Sequence, residues 1–67
     1  MTLNKHNFEL AQARAGMTVS EIASKSGLSY SAVLNAAHRA KKPRPDTIGR
    51  IAKALGVKAE ELAEETK

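Results

Sequence analysis

The stretch between residues 29 and 44 carries polar and basic side chains suited to binding a polyanion. Its polar side chains include Tyr30, Ser31 and Asn35, and no Asp or Glu lies anywhere in the stretch. Its cations are Arg39, Lys41, Lys42 and Arg44. Basic side chains pair with phosphate oxygens, and hydroxyls and amides form hydrogen bonds to base edges. These residue types fit nucleic-acid binding, where an acidic group would be repelled.

The side chains expected to read base sequence lie early in this stretch. Asn35 can pair bidentately with adenine, Ser31 and Tyr30 can donate hydroxyl hydrogen bonds, and Ala32 or Leu34 can touch a thymine methyl. We therefore expect base contacts from Tyr30, Ser31, Ala32 and Asn35. The plainer alternatives are a solvated surface position for Asn35 and partial core packing for Tyr30. Leu34 also fits a protein-binding surface.

Affinity is expected to come mainly from phosphates contacted by Arg39, Lys41, Lys42 and Arg44. On duplex DNA, each phosphate contact adds about −0.9 to the slope of the logarithm of the binding constant against the logarithm of the salt concentration. The formal net charge is +4, and the positive excess lies before residue 51, where eight basic residues face three acidic ones. The alternative for the basic loop is an ordinary solvated connector.

Two short helices joined by a tight turn are predicted to position these side chains. Thr18 and Glu21 have the spacing of a capping box, and Val19, Ile22, Ala23 and Ser26 then form one stripe along the helix. Gly27 supplies a left-handed turn, and Leu28 fills the corner. Ser29 caps the next helix, which we expect to run to about Arg39 or Ala40 with Val33, Ala36, Ala37 and Ala40 facing inward. This is a helix-turn-helix over residues 18–40, whose second helix enters the major groove of DNA.

Three further helices complete the predicted bundle. The first runs from about Asn4, with Thr2 or Asn4 as its cap, to Ala15, with Phe8, Ala11 and Ala15 on one face. Leu10 and Leu3 fall on the opposite side, either as single exposed leucines, in contact with the C-terminal segment, or as a dimer or partner surface. The fourth starts near Pro45 and Asp46 and buries Ile48, Ile51, Ala52 and Leu55. A short fifth begins near Ala59, the tail from 63 to 67 is expected to fray, and no strand pattern is present.

Composition limits the class of protein. The 67 residues predict one all-α domain, a compact bundle of about five short helices, with a core of Ile, Leu, Val and Ala because only Phe8 and Tyr30 are aromatic. There is no cysteine, and no apolar run reaches the roughly 20 residues of a membrane span. We therefore expect a soluble, cytoplasmic protein. His6 and His38 are far apart without nearby acidic ligands, and no serine has a matching His and acid, so we expect no metal, no cofactor and no catalysis.

Two segments of the chain are MTVSEIASKSGLSYSAV and KKPRPDTIGRIAKALGV. Together they resemble the Cro/repressor-like (XRE-type) helix-turn-helix family of phage and bacterial regulators. The first has the family's small, glycine and branched positions at Ala23, Gly27 and Val33. The second matches the family's fourth helix at Pro43, Ile48, Ile51, Ala52, Leu55, Gly56 and Val57. The resemblance covers about residues 8–62. It implies a lambda-repressor-like five-helix bundle that binds palindromic operators as a homodimer.

The resemblance also implies where DNA would be contacted. Base-reading positions fall on Tyr30, Ser31, Ala32 and Asn35. Backbone positions are expected at Thr18, Ser29, Arg39, Lys41, Lys42 and Arg44. The chain departs from the family pattern at Val19, where many members have Gln, and at Gln12 and Ala37, where many pair Arg with Glu. It also lacks the glycine that usually ends the third helix, so that helix is expected to run on and bring His38 and Arg39 towards a DNA backbone.

Two functions from different classes fit these features. The first is a sequence-specific regulator that binds double-stranded DNA: a Cro-like phage or mobile-element repressor, a controller protein, or the DNA-binding part of a longer repressor. The second is a protein-binding module on the same fold, such as an antirepressor or an antitoxin-like partner. The partner surface would then comprise Leu10, Leu34 and His38. The basic loop favours the first, whereas exposed leucines and the missing helix-two glutamine favour the second.

Overall fold

A computed structural model describes residues 2–39 and 44–64 of the chain. Within these ranges the α-helices are α1 (Lys5–Ala15), α2 (Val19–Ser26), α3 (Tyr30–Leu34), α4 (Pro45–Leu55) and α5 (Ala59–Leu62). A π-helical turn over Asn35–Arg39 continues α3 directly, and two short strands, β1 (Thr2–Leu3) and β2 (Ala63–Glu64), pair with each other. The predicted all-α bundle of about five short helices is confirmed.

Side-chain caps begin the first three helices at the positions that the sequence predicts. The Asn4 side-chain oxygen accepts the N–H of Asn7 at 2.9 Å, so Asn4 caps α1. Thr18 and Glu21 form the complete capping box of α2, with each side chain accepting the other's backbone N–H. The Ser29 hydroxyl accepts the N–H of Ala32 at 3.1 Å. Each cap satisfies a donor that the first helical turn leaves open.

Three helices end at a glycine followed by an apolar residue. Gly16, Gly27 and Gly56 have left-handed backbones, and the next N–H in each case returns to a carbonyl five residues earlier: Met17 to Gln12, Leu28 to Ala23, and Val57 to Ala52. This is the Schellman motif, which satisfies carbonyls at the helix end. Met17, Leu28 and Val57 pack against the core. Each helix end therefore also anchors the connecting loop.

The core lies where α2, α3 and α4 meet, with α1 and α5 closing it. Its largest fully buried side chains are Phe8, Ile22, Val33, Ile48, Ile51 and Leu62. Alanines at 23, 36, 37, 52 and 54 fill the spaces between them. No polar or charged residue is buried among the described residues. The inward positions that the sequence predicts for α3 and α4 are thus confirmed, apart from Ala40, which lies outside the described residues. In α2, Ile22 and Ala23 are buried, whereas Val19 and Ser26 are only half-buried.

The chain ends differ from the prediction. Leu3 is only 9% exposed, because β1 and β2 pair antiparallel with Leu3 opposite Ala63. The N–H of Asn4 also donates to the Leu62 carbonyl at 2.7 Å. The expectation of no strand and of a frayed tail from residue 63 is therefore wrong at positions 63 and 64, whereas residues 65–67 lie outside the described part. Ala15, at the last position of α1, is exposed, so that face buries only Phe8 and Ala11.

None of the helices in the described ranges is long and apolar enough to cross a membrane. The longest, α1 and α4, have 11 residues each. A span needs about 20.

A pair of Gly→Ala substitutions tests the left-handed turn between α2 and α3. Gly27→Ala should lower the free energy of unfolding by about 1–2 kcal/mol, because a side chain strains a backbone with φ of 75°. Sterics should contribute little, since the nearest atom to an added Cβ is an Arg50 guanidinium nitrogen at 3.8 Å. Denaturant unfolding followed by circular dichroism measures both variants.

Gly49→Ala is the matched control within α4. An added Cβ there meets no atom within 4 Å, so the better helix former should raise the free energy of unfolding by up to about 1 kcal/mol. Equal effects of the two substitutions would contradict the proposed role of the Gly27 backbone.

Candidate nucleic-acid interface

The helix pair α2–α3 is held by small and branched side chains at its crossing. Ile22 and Ala23 of α2 and Val33 of α3 are buried, and α2 packs against both α3 and α4. Ala23 has only a methyl group, which lets two helices approach closely. The Gly27–Leu28 corner joins them without a further element. This packing sets the direction in which the outer face of α3 points.

The exposed face of α3 presents the polar groups that the sequence singles out. Ser31 and Asn35 are exposed and lie one turn apart, and Tyr30 is 52% exposed and outside the core. The alternative of core packing for Tyr30 is thus not what the structure has. Ala32 and Leu34 are half-buried. Leu34 therefore offers less apolar surface than an exposed leucine, which weakens its role in a partner surface.

The basic loop is described only at its two ends. Lys41 and Lys42 lie outside the described residues, and Arg39 is the last residue of the π turn. Arg44 precedes the first turn of α4, and its side chain is 82% exposed. Its Nε lies 3.3 Å from the Asp46 carboxylate, whose side chain is also largely exposed. Such solvated pairs contribute little energy, so Arg44 remains able to turn to a phosphate.

Two predicted backbone contacts, Thr18 and Ser29, are occupied as helix caps. Both residues are exposed, and each hydroxyl oxygen accepts one backbone N–H at 3.1 Å. A hydroxyl that accepts one hydrogen bond still has its own proton to donate, so either side chain can bond a phosphate oxygen. The two caps also lie at helix N-termini, where the helix dipole favours an anion.

A carboxylate also lies at one of these caps. Glu21 accepts the N–H of Thr18 at 2.8 Å, which places its negative charge at the start of α2. It therefore opposes a phosphate at that helix end. The capping-box spacing was the available signal, because the same spacing that predicts the cap also predicts where the carboxylate sits.

The π turn changes where His38 lies. A helical wheel at 100° per residue groups His38 with Ser31 and Asn35, but the wider turn over Asn35–Arg39 changes the register after Leu34. The His38 ring, although exposed, meets the edge of Phe8 from α1 at a centroid distance of 6.3 Å and an angle of 85°. His38 thus contacts a core residue of α1.

Several hydrogen-bond donors and positively charged groups are exposed among the described residues. No group of three His, Cys, Asp or Glu residues within them is close enough to hold a metal ion. Every buried side-chain nitrogen or oxygen in the same ranges has a hydrogen-bond partner. The exposed polar face of α3, the two hydroxyl caps and Arg44 together offer hydrogen-bond donors and positive charge.

Comparison with protein families gives a match over most of the chain. The family model described as helix-turn-helix matches residues 10–62, which include all of α2, α3, α4 and α5. This confirms the resemblance seen in the sequence. No curated protein matches the chain.

Comparison with solved structures shows the same fold in two settings. A hypothetical transcription factor, NHTF, from Neisseria superimposes with a TM-score of 0.69 and 21% identity, over 91% of this chain and 78% of that one. Hydroxyethylphosphonate dioxygenase gives a TM-score of 0.82 and 18% identity over 100% of this chain. A second dioxygenase structure gives 0.83 and 20% over 97% of this chain.

The dioxygenase likeness is local. This chain spans about 14% of the chain in the first of these dioxygenase structures and 15% in the second. At these identities both likenesses concern the fold alone, and no dioxygenase activity is carried to this chain.

The Glu21 charge gives a test of the α2 end. Glu21→Gln keeps an oxygen for the Thr18 N–H but removes the negative charge, so duplex binding should tighten by about 0.3–1 kcal/mol, roughly two- to fivefold. Fluorescence anisotropy with a labelled duplex at low salt measures the change. Glu9→Gln, an equal charge change at an exposed position of α1, is the control. Equal tightening by both variants would show a net-charge effect and contradict a phosphate at α2.

Proposed function

Because the chain belongs to the helix-turn-helix family, we propose that it is a sequence-specific transcriptional regulator whose third helix enters the major groove of double-stranded DNA. The family match indicates a DNA-binding regulator rather than an enzyme. The observation that carries the finer proposal is the exposure of Tyr30 and Ser31 on α3 and of Asn35 at the start of the π turn, with no carboxylate in either element.

The side chains on that face have separate proposed roles. Asn35 pairs with adenine, Ser31 bonds a neighbouring base, and Tyr30 reaches a base or a phosphate through its hydroxyl. Ala32, which is half-buried, lies nearest the groove floor and contacts a thymine methyl. Sequence choice on this proposal depends most on Asn35, because it alone can form a bidentate pair.

The phosphate contacts are proposed at both ends of the reading helix. Thr18 and Ser29 donate through hydroxyls whose oxygens already accept cap hydrogen bonds. Arg39, Lys41, Lys42 and Arg44 supply charge, and Arg44 exchanges its exposed Asp46 partner for a phosphate. Such contacts position the protein on the duplex and carry most of the salt-dependent affinity.

We propose further that the regulator acts as a homodimer in the cytoplasm. A major-groove helix reads only a few base pairs, and two copies reading half-sites one helical turn apart increase specificity. Occupation of an operator in this way excludes other proteins from the same DNA, which favours repression.

One observation favours a second candidate, a protein-binding module. Leu10 is 44% exposed on α1 and is one of two exposed large hydrophobic residues in the described ranges, the other being Tyr30. An antirepressor or antitoxin-like partner would bind through such a residue. On that alternative, duplex binding would be absent or insensitive to salt.

Neutralising the basic loop separates these functions. The variant with Lys41, Lys42 and Arg44 each changed to Gln should lose three phosphate contacts, which lowers the magnitude of the log–log salt slope by roughly 2.7. Electrophoretic shift or anisotropy on random duplex at several salt concentrations measures the slope. Changing Lys25, Lys53 and Lys58 to Gln removes the same charge elsewhere and should leave the slope nearly unchanged. No salt-sensitive binding by the wild type would exclude DNA binding as the function.

Replacing Asn35 tests sequence reading. Asn35→Ala should cost about 1–3 kcal/mol on the preferred site and little on random duplex, because it removes a base contact and no phosphate contact. The preferred site comes from selection in a random oligonucleotide pool. Ser24→Ala, at an exposed position of α2, is the control. Equal losses on preferred and random duplex would contradict base reading by Asn35.

A further inference from the structure

A groove between α1 and α5 lies outside the surface proposed for DNA. Its volume is about 290 Å³, and Leu10 and Val57 line it with the buried residues Ala11 and Leu62. Leu10 is the one exposed large aliphatic side chain among the described residues. The groove thus combines an accessible apolar side chain with a recess of similar chemistry.

The same groove carries two charges of opposite sign. Arg14 follows Leu10 by one turn of α1, Glu61 lies in α5, and both side chains are exposed. They form no ion pair with each other within 4 Å, since the pair found in the described residues joins Arg44 and Asp46. Glu61 is held in place because it accepts the Lys58 N–H at 2.8 Å, which leaves its second oxygen available.

We propose that this groove binds a second copy of the chain around a two-fold axis. Leu10 of each copy packs in the groove of the other, and Arg14 of each pairs with Glu61 of the other. A two-fold interface brings one patch against itself, so a patch with one positive and one negative rim residue complements its own image. Burial of Leu10 supplies the apolar contribution, and the two reciprocal pairs set the orientation.

The two charges favour a second copy of the chain in this groove over a nucleic acid or another protein. A nucleic acid would be attracted by Arg14 and repelled by Glu61. A partner of a single charge sign would meet the same conflict. A second copy presents both signs in the required arrangement without any further assumption.

This inference deepens the proposed homodimer and rests on it. It is tested without DNA, by sedimentation equilibrium over a range of protein concentrations. A dimer that does not bind DNA would then contradict the proposed function. A chain that binds random duplex but does not form the dimer would contradict the proposed interface.

A pair of charge reversals tests the reciprocal contacts. Arg14→Glu alone and Glu61→Lys alone each place like charges together twice, so each should raise the dimer dissociation constant about tenfold or more. An equimolar mixture of the two variants should restore association to within about threefold of the wild type. In the mixed dimer both contacts again join opposite charges. A merely unfolded variant could not be rescued by mixing.

Further variants separate charge from folding effects. Glu61→Gln keeps an oxygen to cap α5 and removes the charge, so it should weaken the dimer less than Glu61→Lys. Glu60→Lys changes an exposed neighbour in α5 that is not among the groove residues and should leave the dimer nearly unchanged. Leu10→Ser should raise the dimer dissociation constant about tenfold, whereas the unfolding temperature of the monomer should stay nearly unchanged.

Three outcomes would overturn the proposal. A wild-type chain that stays monomeric at all concentrations would show that the groove does not hold a second copy. Mixed variants that fail to associate would exclude the Arg14–Glu61 exchange. Equal effects of Glu60→Lys and Glu61→Lys would indicate a net-charge effect without a defined interface.

Discussion

The corner after α2 is the constraint on which the surface proposed to read DNA depends. The Ala23 carbonyl accepts both the Leu28 N–H at 3.0 Å and the Ser26 hydroxyl at 3.1 Å. The bond from Leu28 requires the left-handed backbone of Gly27. Leu28 is thereby positioned to pack against the core. Since Ser29 caps α3 immediately afterwards, the direction of α3 follows from these few atoms and from the Val33 packing beneath it.

Most of the fold could be predicted because its signals are local. Thr18 with Glu21, Gly27, and the apolar stripe of α4 each determine structure within a few residues of themselves. The pairing of Leu3 with Ala63 could not be predicted in this way, since two-residue strands have no periodicity and the partners lie 60 positions apart in the sequence. The π turn after Leu34 was also missed, because a helical wheel assumes a constant rise and rotation.

The candidate site shows a conflict between folding and anion binding. Glu21 and Asp46 both lie in the first turn of a helix, where the helix dipole stabilises a carboxylate. The same positions are where a phosphate would bind, and Asp46 already pairs with Arg44. The residue types on α3 could be predicted from the sequence, whereas these pairings depend on coordinates. The charge available to a ligand is therefore smaller than the count of cations suggests.

The same fold occurs in a hypothetical transcription factor from Neisseria and within hydroxyethylphosphonate dioxygenase. One bundle can therefore serve different proteins, and function has to be argued from the residues on its surface. In this chain the two notable surfaces use different helices. The polar face lies on α3, and the groove with Leu10, Arg14 and Glu61 lies between α1 and α5. Core residues separate them, and His38 at the end of the π turn meets Phe8 of α1. Substitutions on one surface can therefore alter its binding while the core that supports the other is kept.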